Sequence, residues 1–383
     1  MTQYEQRLSN VQRAMKREMT DYVPTLAFPG PANAAYMGTT ALDATKDVET
    51  FCKAFNGVYN DMWCDCSMDN GIFTLPEFAE IFGKDSVQYF FGEDRTTMSH
   101  LQKSPMREDE YDQLIANPDK FVNEVLLPRK FPWIYEDLQK SVQKIKAYFD
   151  ISNKLFLEYD AALAEDLEKN YEVVNICGGG YAFNPVDTLF DSLRGFRGTI
   201  TDMRRHKDQV AAALEALWET KDGFFVQTPL ENSFPYVEQM PHMPAYMSRK
   251  QFEEFYWPYE KKLIEHIAAA GSKLIILLEG SWMHVVDFFR DVPKDSMILM
   301  ADDDDVIELY KKIGDYQIIA GGAKLAEIRL ESKEKIIDRA KRTIDICAQD
   351  SGFLFCTDKN WISPGDVNQN LVDVYNFVHE YKG

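Results

Sequence analysis

Short apolar runs alternate with longer amphipathic stretches along the last third of the chain. The apolar runs lie within four segments, KLIILLE (273–279), SMILMAD (296–302), YQIIAGG (316–322) and GFLFCTD (352–358), each followed by a stretch with helical periodicity. Buried strands that alternate with helices are typical of parallel strands joined by right-handed crossovers. Four such units in a row predict an open doubly wound sheet or a closed (β/α) barrel.

Earlier segments complete a set of eight predicted strands. Apolar, β-rich runs occupy 22–28, 57–64 and 172–178, and a weaker pattern occupies 198–203. Between these strands, the region from about 98 to 170 has helical periodicity throughout and is interpreted as a helical insertion. Because no linker rich in Gly, Pro or Ser and no internal repeat divides the sequence, residues 1–383 are predicted to form one domain.

The net charge and the cysteine content limit the partners and the cellular compartment expected for the protein. The chain has 42 basic and 62 acidic residues, a net charge of −20, which disfavours nucleic acid and anionic membranes as partners. Its longest apolar runs have about five residues, whereas a membrane span needs roughly 20. Six cysteines without regular spacing and a start lacking a basic and apolar signal region indicate a reducing cytoplasm.

Polar residues stand at the ends of the predicted strands, where the catalytic groups of a barrel lie. Glu279 ends one apolar run, Asp302 ends the next, and Cys356 and Asp358 end the last. A carboxylate directly after such a run is costly to desolvate unless it is paired, protonated or bound to a cation. Glu279 and Asp302 are therefore candidate catalytic residues. The alternative is that Glu279 caps a helix or pairs with lysine, and that the aspartates at 302–305 cap the following helix.

Two further residue types could bind a ligand. His242 lies in a proline-flanked loop and is either a ligand or base, or an ordinary packing residue. Cys356 is either a buried small apolar residue or a zinc ligand. Gly321 and Gly322 at a strand end are candidate cofactor-binding positions.

Several of these segments resemble the uroporphyrinogen decarboxylase superfamily, and within it the branch of corrinoid-dependent methyltransferases. The resemblance rests on the opening QRLSNVQRAMKREMTDYVPTLAF, NPVDTLFDSLRGFRGTITDMRRHKDQVAAALEAL, HMPAYMSRKQFEEFYWPYEKKLI, LLEGSWMHVVDFFRDVP and IIAGGAKLAEIRLESKEKIIDRAKRTIDICAQDSGFLF. It implies a TIM-like (β/α)8 barrel, here with extra N-terminal helices and the helical insertion. Fold alone does not fix the reaction, because this barrel hosts decarboxylases and methyltransferases alike.

The loop after the first strand distinguishes decarboxylases from methyltransferases. Decarboxylases of the superfamily bind a polycarboxylated tetrapyrrole through arginines in this loop, which here reads FPGPANAAYMG and has no cation. A polyanion would bind poorly without those arginines in a chain of net charge −20. The resemblance therefore favours a methyltransferase, with decarboxylation as the alternative.

The resemblance also implies a metal site, which this sequence alters. The methyltransferases bind zinc through His-x-Cys at one strand end and a late cysteine, positions that match Leu277-x-Glu279 and Cys356, or Asp358 if the loop is shifted. A branch that demethylates methoxylated aromatics has a similar Glu-Gly strand end and a histidine where His242 stands. We therefore expect zinc bound by His242, Glu279 and Cys356 with an open fourth position, or a protonated acid at the same place.

These features predict an enzyme that moves a methyl group from a small methylated substrate, such as a methoxylated aromatic, to a corrinoid. The corrinoid is expected on a separate carrier protein, because no corrinoid-binding segment is recognisable in the sequence. A barrel that binds a small molecule without turnover is a further alternative, since Leu277 replaces one zinc ligand. An assembly of identical copies is compatible with the sequence, which does not define the oligomeric state or the methyl donor.

Overall fold

The computed structural model describes residues 1–68, 72–101, 103–135, 137–220 and 236–382, and within these ranges a parallel sheet forms a barrel. Its strands are β1 Thr25–Ala27, β2 Cys66–Ser67, β5 Val174–Asn175, β6 Cys177–Tyr181, β7 Tyr236–Gln239, β8 Leu274–Leu278, β9 Met297–Ala301, β10 Ile318–Ala323 and β11 Phe353–Thr357; a separate antiparallel hairpin pairs β3 Tyr89–Phe91 with β4 Met98–His100. The order in the barrel sheet is β5-β2-β1-β11-β10-β9-β8-β7-β6.

The two edge strands, β5 and β6, are consecutive in sequence and are separated by Ile176 alone. Ile176 donates its backbone N–H to the Ser67 carbonyl (3.0 Å) and accepts from the Tyr236 N–H (2.7 Å). Residues 174–181 therefore join β2 to β7. Because β5 and β6 together occupy one strand position, the sheet within the described ranges has the eight strand positions of a (β/α)8 barrel. The predicted fold class is confirmed.

Helices surround the barrel, and none in the described ranges is long and apolar enough to cross a lipid bilayer. The α-helices are Gln3–Met15, Ala32–Tyr36, Ala41–Ala44, Val48–Asn56, Pro76–Phe82, Tyr111–Ala116, Pro118–Phe121, Leu127–Lys130, Leu138–Asn153, Ala161–Asn170, Pro185–Thr188, Gly195–Arg205, Lys207–Trp218, Arg249–Gln251, Trp257–Ala269, Val306–Ile313, Leu325–Leu330, Lys333–Cys347 and Gln369–Glu380. Wider π-helical turns occupy Val122–Leu126, Lys154–Asp160, Leu189–Arg194 and Phe252–Tyr256, and shorter 3-10 turns occupy Gly57–Asn60, Lys84–Ser86, Glu108–Glu110, Pro132–Ile134, Pro244–Tyr246 and Val286–Asp291.

The interior of the barrel is a packed apolar core. Alternate residues of β8 face it, so Ile275 and Leu277 belong to the interior cluster while Leu274, Ile276 and Leu278 pack against the outer helices. The first helix adds Val11, Ala14 and Met15 to the interior cluster. Just after that helix, Arg17 forms an ion pair with Asp295 (2.7 Å) and binds the Gln317 carbonyl, both directly before strands. The first helix therefore closes the N-terminal mouth.

Two strand predictions were wrong, and one strand was missed. Residues 57–64 begin with the 3-10 turn Gly57–Asn60, and the strand comes later, at Cys66–Ser67. Residues 198–203 belong to the helix Gly195–Arg205, where buried Asp202 binds Tyr111 and Arg194. The strand Tyr236–Gln239 was missed, because two of its four buried residues are polar.

The region predicted as a helical insertion begins with β4, the second strand of the hairpin, and is helical over most of 108–170. Residues 102 and 136 of this region lie outside the described residues. Two of its π-helical turns, Val122–Leu126 and Lys154–Asp160, continue into α-helices. The hairpin that precedes these helices was not predicted, and the charge of Asp191, in the site described below, influences two of its side chains, Tyr89 and His100.

Candidate active site

The alternation of side chains carries three acidic residues to the C-terminal mouth of the barrel. After the inward residues Leu277, Met300 and Cys356, the next inward positions are Glu279, Asp302 and Asp358, each just beyond its strand. Asp302 and Asp358 are buried, whereas the Glu279 side chain is 49% exposed. The mouth thus has a solvent-facing carboxylate beside buried ones.

His242 reaches the same mouth from the loop after β7, and a buried aspartate holds that loop. Asp187 Oδ1 accepts the backbone N–H groups of His242 (3.0 Å) and Met243 (2.9 Å), and its Oδ2 accepts the Tyr256 hydroxyl (2.7 Å). Burial raises the pKa of Asp187 to about 6, although the Tyr256 hydrogen bond opposes the rise. Asp187 therefore fixes the loop without facing the open mouth.

The imidazole of His242 lies between two carboxylates. Its Nδ1 is 3.0 Å from both oxygens of Asp191, and its Nε2 is 3.4 Å from Glu279 Oε2. Burial lowers the pKa of His242, but the hydrogen bond and charge of Asp191, with the charges of Glu279 and Asp187, outweigh this and raise the pKa to about 9. His242 is therefore an imidazolium near neutral pH, with Nδ1–H donated to Asp191.

Glu279 shares its surroundings with Asp302 and Lys359. Desolvation raises the pKa of Glu279, the charge of His242 opposes this rise, and the charge of Asp302 adds to it. Asp302 accepts the Gly280 N–H (2.8 Å) and forms an ion pair with Lys359 (2.8 Å). Asp302, predicted as catalytic, thus has both carboxylate oxygens engaged in holding the loops after β8 and β11.

The glycine after Glu279 is required by the turn. Gly280 has a φ of +76°, and a Cβ there would lie 2.6 Å from the Cβ of Ala245. Any larger residue would push the Glu279 loop away from the loop of His242. The geometry of the turn thereby explains the glycine of the Glu-Gly pair.

Cys356, the third predicted zinc ligand, is not brought to this pair. Its side chain is fully buried in the interior cluster with Leu277, Met300 and Leu354, one inward position below Asp358. Burial raises the pKa of the Cys356 thiol, and Asp358 raises it further. Among the described residues, the ligand atoms of His242, Glu279 and Cys356 do not form a group within 4.8 Å of one another.

Packing accounts for the two glycines of β10. A Cβ on Gly321 would lie 2.9 Å from a methyl group of Val306, and one on Gly322 would lie 2.8 Å from the ring of Phe355. Both positions therefore lack room for a side chain. Cofactor binding by Gly321 and Gly322 stays a prediction.

Aromatic rings line one side of His242. The Phe190 ring lies 5.8 Å from the imidazole and continues into Phe196 and Tyr246, which are 41% and 58% exposed. Such rings offer flat apolar contacts to a small aromatic or methylated molecule. The imidazolium therefore has a polar side formed by carboxylates and an apolar side formed by rings.

Several residues of this site were missed from the sequence. Asp187 and Asp191 were not recognised, because their four-residue spacing also suits a solvated helix face, and the hairpin that carries Tyr89 and His100 was not predicted. Burial and the charge of Asp191 raise the pKa of Tyr89, while burial lowers the pKa of His100 and Asp191 opposes it. The hairpin is therefore close enough to the mouth for the charge of Asp191 to influence the pKa of Tyr89 and of His100.

The arrangement can hold a proton at His242 Nε2 and deliver it to a group bound in the mouth. Asp191 fixes the orientation of the ring and stabilises its charge, as a carboxylate does for a catalytic histidine. Glu279 marks the open side on which a proton acceptor can approach. The site is therefore suited to proton donation to a leaving group.

Comparisons with known proteins agree with this architecture. Residues 74–381 match the sequence model of the family described as uroporphyrinogen decarboxylase (URO-D). Among solved structures, the chain is similar to a methyltransferase from Methanosarcina mazei, with a TM-score of 0.58 and 13% identity over 97% of this chain and 98% of that chain. No match was found among curated proteins.

Proposed function

Because the chain belongs to the uroporphyrinogen decarboxylase family, we propose that it transfers a methyl group from a small methoxylated aromatic compound to a corrinoid on a separate carrier protein. The observation that carries the proposal is the position of His242, between Asp191 and Glu279 and against the ring of Phe190. The methyltransferase from Methanosarcina mazei, similar along nearly its whole length, supports the reaction class.

Cleavage of an aryl methyl ether requires help at the oxygen. The bond between the methyl carbon and the oxygen breaks, the oxygen keeps the electron pair, and a phenol leaves more readily than a phenolate. The reduced cobalt of the carrier, as second substrate, supplies the electron pair for the new bond to carbon. His242 Nε2–H supplies the proton, Asp191 keeps the ring charged, and Phe190 contacts the aromatic donor.

Two features of the described residues argue against a polyanionic tetrapyrrole as substrate. The loop after β1, residues 28–38, contains no basic residue, and its helix Ala32–Tyr36 buries its first three residues. The mouth itself has Asp191, Glu279, Asp302 and Asp358, with Lys359 already paired to Asp302. A neutral donor is compatible with this charge, whereas several carboxylates would be repelled.

The residues present do not fit the predicted three-ligand zinc site. His242 and Glu279 offer two ligands, but Cys356 is enclosed in the apolar core and the Asp302 carboxylate is engaged by Gly280 N–H and Lys359. Asp358, the alternative late ligand, accepts the Leu325 N–H (3.0 Å), and among the described residues it forms no group of ligand atoms with His242 and Glu279 within 4.8 Å. A catalytic zinc site in proteins commonly has three protein ligands. His242 and the two carboxylates beside it therefore supply the proton chemistry of the site.

The test is an anaerobic assay with guaiacol, a reduced corrinoid carrier protein and this chain. We expect demethylated product and the spectral change of methylated cobalt, neither of which forms without the carrier. His242→Gln is expected to lower the rate strongly, and His266→Gln, on the exposed side of an outer helix, should not change it. Demethylation without the carrier, or release of carbon dioxide from a uroporphyrinogen, would contradict the proposal.

A further inference from the structure

A second group of metal-ligand side chains lies outside the mouth, where the helix Gly195–Arg205 meets the turn Glu108–Glu110. One ligand atom from each of Glu108, Asp202 and His206 lies within 4.8 Å of the other two. The backbone N–H of His206 donates to the Asp202 carbonyl (2.7 Å), so the helix holds these two residues one turn apart. The helix thus presents a carboxylate and an imidazole to the same neighbour, Glu108.

Asp202 is the buried member of this group. Its Oδ2 accepts the Tyr111 hydroxyl (2.8 Å) and Arg194 Nε (2.6 Å), while its Oδ1 is buried and has no hydrogen-bond partner among the described residues. A buried carboxylate oxygen without a partner is costly. A cation bound at Oδ1 would remove that cost.

His206 and Glu108 form the accessible side of the group. His206 Nε2 lies 2.8 Å from Glu108 Oε1, and the two side chains are 32% and 56% exposed. An ordinary ion pair accounts for this contact but leaves the Asp202 oxygen unused. Because these two side chains are partly exposed and a ligand atom of each lies within 4.8 Å of an Asp202 carboxylate oxygen, an ion bound among the three would have contact with solvent.

We propose that Glu108, Asp202 and His206 bind one divalent transition-metal ion of the zinc type, with water completing the coordination. One imidazole nitrogen and two carboxylate oxygens are a ligand set that zinc accepts. Arg194 shares the Asp202 carboxylate and repels the ion, so the affinity is expected to be weaker than in a closed structural site.

The metal would fasten the start of the helical insertion to the barrel. Met106 N–H already donates to the Leu193 carbonyl (3.0 Å), and Arg194 donates to the Met106 carbonyl (2.9 Å). A metal ion bound by Glu108 on one side and by Asp202 and His206 on the other adds a link at the same junction. The site therefore has a structural role that does not depend on methyl transfer.

The experiment is zinc titration of the chelator-treated full chain by calorimetry, combined with thermal unfolding in zinc and in chelator. We expect one zinc ion per chain and a higher melting temperature in zinc. His206→Gln and Glu108→Gln should each weaken zinc binding at least about tenfold. Because both residues are partly exposed, these variants are expected to fold, whereas Asp202→Asn also disturbs Tyr111 and Arg194.

His242→Gln is the matched control, because it removes a histidine from the mouth and leaves the proposed site intact. It should bind zinc as the unmodified chain does. The proposal is overturned if the unmodified chain binds no zinc, or if the Glu108 and His206 variants bind it unchanged. Loss of binding in His242→Gln alone would place the metal at the mouth and would equally overturn this site. None of these outcomes depends on detecting methyl transfer.

Discussion

His242 presents Nδ1 to both carboxylate oxygens of Asp191 at 3.0 Å, and this contact fixes the ring of the imidazole that faces the barrel mouth. Asp191 comes from the helix after β6, and His242 from the loop after β7. Two neighbouring strand ends thus supply the acid and the group that orients it. The contact accounts for a histidine that retains its proton although much of it is withdrawn from solvent.

The first prediction concerns the pH dependence of kcat/KM. A group that donates a proton is active below its pKa, so the rate should fall as pH rises through about 9, the raised pKa of His242. Asp191→Asn removes the charge that raises this pKa and should move the fall to lower pH. Rate profiles of the two proteins measure the effect, and an unchanged profile would exclude His242 as the donor.

The second prediction concerns Glu279. Glu279→Gln removes the carboxylate opposite His242 Nε2, whose charge helps to keep the proton-donating imidazole charged, and should lower kcat by about 100-fold while KM changes little. Glu265→Gln, on an outer helix and paired only with Lys261 among the contacts described, is the matched control. Steady-state kinetics of both variants decide the point. Normal turnover in Glu279→Gln would show that this residue has no catalytic role.

The third prediction concerns Cys356. Because this thiol is buried among apolar side chains, Cys356→Ala should retain most methyl transfer and lower the free energy of unfolding by about 1 kcal/mol. Activity and denaturation measured on the same preparation test both statements. If Cys356→Ala folds normally and is inactive, Cys356 acts in catalysis and the sequence-based assignment regains support.

The fourth prediction concerns stability and pH. Glu260 is fully buried, and burial raises its pKa from 4.5 to about 7 although the amides of Gln239 and Asn184 oppose the rise. Glu260 Oε2 accepts the Gln239 amide (3.1 Å), while its buried Oε1 lacks a hydrogen-bond partner among the described residues, so nothing there offsets the cost of a negative charge on that oxygen. The native chain therefore keeps a proton that the unfolded chain releases.

Since the native state binds the proton more tightly, Glu260 makes the chain less stable as pH rises from about 4.5 to about 7, by up to about 3 kcal/mol. Glu260→Gln removes this dependence and keeps an amide in place of the acid. Urea denaturation should show that the free energy of unfolding falls less between about pH 5 and about pH 8 in the variant than in the unmodified chain. An equal loss in both proteins would show that Glu260 is ionised in the native state.

The four C-terminal β–α units could be predicted because continuous apolar runs are typical of strands buried on both faces. The strand Tyr236–Gln239 could not, because Glu238 and Gln239 are buried through tertiary contacts that local pattern does not reveal. Residues 198–203 contain Thr199 and Ile200, which favour strands, yet tertiary packing holds them in a helix. In both segments, tertiary contacts outweigh the local preference for one type of secondary structure.

The site was predictable only where it follows strands. Glu279 and Asp302 end apolar runs, and alternation alone carries them to the mouth. Asp187 and Asp191 lie one helical turn apart, a spacing that also suits a solvated helix face, so their contacts with the His242 loop require the fold. Cys356 differs from Asp358 by one inward position, which the sequence pattern did not resolve.

The central claim, that His242 protonates the leaving oxygen, is tested most directly by the single-turnover rate of cobalt methylation with two donors. Anisole releases a basic phenolate, whereas nitroanisole releases a weakly basic one that needs little protonation. We expect His242→Gln to slow transfer from anisole far more than transfer from nitroanisole. An equal loss with both donors would contradict the claim and would assign His242 to donor binding alone.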